Sequence, residues 1–97
     1  MRRTKNSEDY KTMLELLRAA RVELAISQSE LAKRMKLDQS AVSKFEKGIR
    51  HLDVIGLREW LSALGVSFPQ FSSELDRVLD ARAAVRRQET RKKVKAT

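Results

Sequence analysis

Four side chains suited to hydrogen bonding with base edges fall within six positions, Gln39, Ser40, Ser43 and Lys44. Glutamine can bond bidentately to adenine N6 and N7, lysine can donate to guanine O6 or N7, and serine tolerates several partners. At helical spacing the four share one side of a helix, with Val42 and Phe45 on the other. The bland alternative is an ordinary solvated face. The surrounding charge argues for more: residues 33–50 hold Lys33, Arg34, Lys36, Lys44, Lys47 and Arg50 against only Asp38 and Glu46, a local net of +4. Such cations suit phosphate oxygens, with Lys47, Arg50 and His51 on one flank and Lys33, Arg34 and Lys36 on the other.

Catalysis is not indicated. His51 is the single histidine, there is no cysteine, and no serine or carboxylate stands near His51 in a triad-like pattern or at metal-ligand spacing. The chain is therefore expected to be no enzyme and to need no cofactor or metal. Its formal net charge of +8 and pI near 10.3 point to a polyanionic partner. Most of that excess sits at the ends: seven bases and one acid in residues 82–97, and Arg2, Arg3 and Lys5 at the start. The basic start leads into Asn6-Ser7-Glu8-Asp9 instead of an apolar signal core, and no apolar run approaches the roughly 18 residues of a membrane span, so a cytoplasmic location without membrane association is expected.

The elements that must position these residues are helices, because most of the chain repeats near 3.6 residues and holds only three glycines and one proline. A first helix over about 7–24, capped by Ser7 or Asp9, turns Met13, Leu14, Leu17, Ala20 and Val22 inward and Lys11, Glu15, Arg18 and Glu23 to water. Ser27-Gln28-Ser29-Glu30 is a capping box that opens a second helix of about eight residues, with Leu31, Ala32 and Met35 inward. So short a helix must be held by packing. Leu37 is placed to plug the following turn, Asp38 to cap a third helix over 39–47, and Gly48 to close it in a left-handed conformation. Asp53 caps a fourth helix with a Leu57, Trp60, Leu61, Leu64 stripe that Gly65 ends. Ser67-Phe68-Pro69-Gln70 repeats the capping pattern before a Phe71, Leu75, Val78, Leu79 stripe. Beyond about Arg87 nothing apolar recurs, and a frayed or disordered tail is expected. The chain is expected to divide into a basic arm (1–6), a DNA-binding domain (7–80) and a basic extension, partly helical or disordered (81–97).

Two short helices joined by a tight turn, the second opening on small polar side chains, fit a major groove. Here the sequence resembles the Cro/CI-type (XRE-like) helix-turn-helix family over about residues 17–71, without gaps. The resemblance is carried by Leu-Arg-Ala-Ala-Arg-Val-Glu-Leu-Ala-Ile-Ser-Gln-Ser-Glu-Leu-Ala from 17, Asp-Gln-Ser-Ala-Val-Ser-Lys-Phe-Glu-Lys-Gly from 38, and Leu-Ser-Ala-Leu-Gly-Val-Ser from 61. It implies an all-α, compact five-helix, lambda-repressor-like domain with the helix-turn-helix at helices 2 and 3. It also implies a sequence-specific transcriptional regulator of double-stranded DNA, expected to be a repressor binding an inverted-repeat operator as a homodimer. Gln39, Ser40, Ser43 and Lys44 would read bases, and Gln28, Lys36, Lys47, Arg50 and His51 would meet phosphates. Gln28 matches the family's phosphate-binding glutamine, and Arg21 and Glu46 match its paired arginine and glutamate.

The chain departs from the family at Ala25 and Lys36, where glycine often makes the turn, so either the turns are remodelled or left-handed strain of roughly 1 kcal/mol each is tolerated. The stripe from Phe68 to Leu79 either closes its own domain or lends its distal half to a second subunit. Two rival readings stay open: an antitoxin that also binds its own promoter, with a protein partner on the extension from Ala81, and a nonspecific nucleic-acid packer.

Overall fold

The computed structural model describes the backbone of residues 3–96 and side chains from 8 to 88. Among the described residues there are five helices and no strand: α1 (Arg3–Glu23), α2 (Gln28–Met35), α3 (Gln39–Glu46), α4 (Val54–Leu64) and α5 (Phe68–Ala96). The chain is all-α, with α2 packed on α3 and α4, and α1 crossing behind them to meet α5.

Local sequence chemistry sets most of these boundaries. The Ser27 hydroxyl accepts from the Glu30 amide at 3.0 Å, so one orphan donor of α2 is satisfied. The Glu30 carboxylate does not complete the reciprocal bond of a capping box; it pairs with Arg34 one turn on, at 3.1 Å. Asp53 caps α4 through the Gly56 amide at 2.7 Å, and Ser67 caps α5 through the Gln70 amide at 3.3 Å. Asp38 holds the N-cap position of α3 with extended backbone, but its carboxylate makes no capping bond. Gly65 closes α4 at φ +79°, and Gly48 turns the chain out of α3 at φ +81°. A Cβ on Gly48 would stand 3.4 Å from Leu14 Cδ1, an ordinary van der Waals contact, so glycine is favoured there by the left-handed backbone and not by crowding.

Leu14, Leu17, Ile26, Leu31, Ala32, Val42, Leu57, Trp60, Leu61, Leu64 and Phe71 form one core. Each large side chain removed from water here contributes about 1.5 to 3 kcal/mol, which is what keeps two eight-residue helices folded. Phe45 meets Trp60 edge to face, 5.9 Å between ring centroids, and this contact links α3 to α4 through side chains in the core.

The structure corrects several expectations. α1 starts at Arg3, so Ser7 and Asp9 lie inside the helix and cap nothing. Val22, expected inward, is 57% exposed, because the stripe of α1 drifts away from it in the last turn. Leu37 is also exposed and does not plug the turn; the buried Leu31, Ala32 and Val42 already fill that space. The helical backbone of α5 continues to Ala96, past the expected fraying point near Arg87.

The first half of α1 and the second half of α5 are joined by side chains that no periodicity argument identified. Arg82 donates to the Thr12 hydroxyl and pairs with Glu8 at 3.7 Å; Arg86 pairs with Asp9 at 3.6 Å. Thr12 is buried and itself donates to the Glu8 carbonyl at 3.1 Å. Of the Phe68 to Leu79 stripe, Phe71 is in the core, Phe68 and Leu75 pack against it, and Val78 and Leu79 are half-buried.

Candidate nucleic-acid interface

Helix α3 is anchored by Val42 and Phe45 on one side, which leaves Gln39, Ser40 and Lys44 exposed on the other. Ser43 is half-buried between the two faces. The exposed strip begins at the N-terminus of α3, where a helix entering a groove brings its side chains to base edges.

A hydrogen-bonded chain fixes the angle of α3. The Arg21 guanidinium donates from Nε to Glu46 Oε2 at 2.6 Å and from Nη2 to Oε1 at 3.2 Å, a bidentate pair between α1 and the last residue of α3. Its Nη1 donates to the Ile26 carbonyl at 2.8 Å, so the turn after α1 is tied to the same group. The side chains of Arg21 and Glu46 are 9% and 5% exposed, which leaves little water to screen the attraction. From Glu46 the chain continues: Gln28 Nε2 donates to Oε1 at 2.9 Å, Gln39 Nε2 donates to Gln28 Oε1 at 3.4 Å, and the Ser29 hydroxyl donates to Gln39 Oε1 at 3.1 Å. Arg21, Glu46, Gln28 and Gln39 thus form one network, with Gln28 half-buried at its centre. The part of Ser29 in holding Gln39 has no signal in the sequence beyond a polar residue in the first turn of α2.

The flanking cations divide into those that stay open and those already engaged. Lys36 and Lys47 are exposed at the ends of α2 and α3. Arg50 is exposed but lies over the Phe45 ring, 5.0 Å from the centroid, which fixes its stem beside α3. His51 stacks on Tyr10 of α1 at 4.7 Å, and the Tyr10 hydroxyl accepts from the Leu52 amide at 2.8 Å. Tyr10 therefore holds the loop that carries Arg50 and His51, a role that its lone place in the first half of α1 gave no cause to suspect. Arg34 does not fit the phosphate role expected of it: it is engaged with Glu30 and with the Ala63 carbonyl at 2.9 Å, joining α2 to the end of α4.

Both glycine-poor turns keep the left-handed backbone. Ala25 has φ 60° and Lys36 φ 59°, and the amides after them close onto helix carbonyls, Ile26 to Arg21 at 3.1 Å and Leu37 to Ala32 at 2.8 Å. The strain is tolerated because these bonds satisfy the helix ends.

Comparison with known proteins adds independent findings. A helix-turn-helix family model matches residues 17–71, more than half of the chain. The chain is also similar to the solved structure of an XRE-family like protein from Pseudomonas syringae pv. tomato str. DC3000, with 36% sequence identity, a TM-score of 0.74, and coverage of 77% of this chain and 92% of that one. No curated protein matches the sequence.

Proposed function

Because the chain belongs to the Cro/CI-type, XRE-like helix-turn-helix family of DNA-binding transcriptional regulators, we propose that it acts in the cytoplasm as a repressor, binding an inverted-repeat operator as a homodimer. The observation that carries this reading is the exposed polar strip Gln39, Ser40 and Lys44 on a helix whose angle is fixed by the buried Arg21–Glu46 pair. A rigidly held strip of hydrogen-bonding groups suits discrimination between base pairs, for which each good bidentate contact contributes about 1 to 3 kcal/mol. Ser43, half-buried, contacts bases only where the groove wall is close. Phosphate contacts fall to Gln28, Lys36, Lys47, Arg50 and His51, whose positions frame the strip at both ends.

Dimerisation follows from the small size of one reading surface: a single short strip covers too few base pairs for a unique operator, and two copies double it. The half-sites are expected about 34 to 36 Å apart, one turn of the duplex. Sedimentation of the protein on a duplex carrying a selected site tests this, with two protomers per duplex expected. A 1:1 complex of equal sequence preference would refute the dimeric operator.

The antitoxin alternative draws support from α5, which runs on past the core with Val85 more than half exposed and offers a helical surface for a protein partner. Co-purification of a toxin from the native host would favour it. The divisions 1–6, 7–80 and 81–97 remain functional proposals, with the reading surface wholly in the middle segment.

A further inference from the structure

We infer that the open cleft between α1 and the helix-turn-helix binds a DNA backbone phosphate of its own, through Lys11, Arg18 and Lys47. This rests on the DNA-binding reading and extends it to α1. Lys11 and Arg18 are seven residues apart, two helical turns, so they project from nearly the same side of α1 about 10.5 Å apart along its axis. Both line a cleft of about 420 Å³ together with Glu15, Gln28, Glu46 and Lys47.

The cleft carries a net positive charge. Glu46 is neutralised by Arg21 and further bonded by Gln28, which leaves Glu15 as the one carboxylate without a salt bridge among the seven lining residues. Lys11, Arg18 and Lys47 make no salt bridge within the described residues, whereas Arg34, Arg77 and Arg82 each find a carboxylate. Three cations lining one concave surface raise a positive potential there, and their mutual repulsion is relieved by an anion. Gln28 identifies that anion as part of the duplex: its amide lines the cleft on one side and meets Gln39 of the reading strip on the other. A phosphate in the cleft would therefore be continuous with the groove read by α3. Lys11 lies N-terminal to the span 17–71 that matches the family, and Arg18 lies within it.

The test is equilibrium binding of the full chain to a duplex carrying its selected site and to random DNA, over a series of salt concentrations. Lys11→Ala and Arg18→Ala should each weaken both duplexes by a similar factor and reduce the salt slope by about 0.9 for each cation engaged, with site preference unchanged. Arg18→Lys should retain the slope. Glu15→Gln should tighten binding, since it removes the opposing charge. Thermal melts establish that these exposed substitutions leave the fold intact. A Lys11→Ala/Arg18→Ala double variant that binds with wild-type affinity and slope overturns the cleft and leaves the DNA-binding reading standing. Failure of the wild-type chain to bind any DNA would overturn both.

Discussion

Arg21 and Glu46 are 25 positions apart, yet their buried, bidentate pair determines whether the reading helix is held at one angle. Removing one partner would strand the other's charge away from water. Arg21→Ala and Glu46→Ala should therefore each lower stability by about 3 kcal/mol or more, and the double variant should lose much less than the sum. Thermal melts of the three variants test the coupling, and additive losses would contradict it. Gln28 extends this logic to specificity, since it connects Glu46 to Gln39. Gln28→Ala should weaken binding to every duplex and also blur the base preference set by Gln39. Binding to sites altered at a single position separates the two effects, and a loss that is uniform across those sites would show that Gln28 touches only phosphate. The candidate site residues could be named from the sequence because side-chain type and helical spacing were enough. Which of them bond to one another could not, since Ser29, Gln28 and Gln39 meet only after α2 and α3 have packed.

At the scale of elements, the helix starts were legible wherever a side-chain cap works through local geometry, as at Ser27, Asp53 and Ser67. The start of α1 was not, because Thr4, Asn6, Ser7 and Asp9 are all residue types able to cap, and the helix begins ahead of every one of them. Val22 and Leu37 show the limit of periodicity: an apolar residue at the end of an element obeys the local pattern and yet stays exposed. The turns give a direct prediction. Ala25 and Lys36 sit at φ 60° and 59°, a region that costs a residue with Cβ roughly 1 to 2 kcal/mol and costs glycine almost nothing. Ala25→Gly and Lys36→Gly should each stabilise the fold by about 0.5 to 1 kcal/mol after the added freedom of the unfolded chain is counted. For a domain of this size that is a rise in Tm of a few degrees, and a fall would show that the left-handed backbone is not strained. Lys36→Gly should also lose one phosphate contact, which the salt slope reports separately from the melt.

Across the whole molecule, the long α1 and α5 carry most of the excess charge and lie partly outside the family match. The ion pairs of Arg82 and Arg86 with Glu8 and Asp9 make the α5 extension a structural partner of α1 as well as a basic arm. Two truncations should then differ. Deleting residues 88–97 removes four bases and one acid but keeps both pairs, so it should weaken specific and random DNA alike with little change in Tm. Deleting residues 82–97 also removes the partners of Thr12, Glu8 and Asp9 and should lower the Tm clearly further. Equal melting of the two would mean that the α1–α5 contacts contribute nothing.

Whether α3 reads base sequence from a rigidly held polar strip is decided by selecting bound sites from a random DNA pool with the wild-type chain and with Gln39→Ala. An inverted-repeat site is expected for the wild type, and for the variant the same site with preference relaxed at one base-pair position per half-site and affinity reduced by about 1 to 3 kcal/mol. An unchanged site in the variant, or no enriched sequence with the wild type, would contradict it.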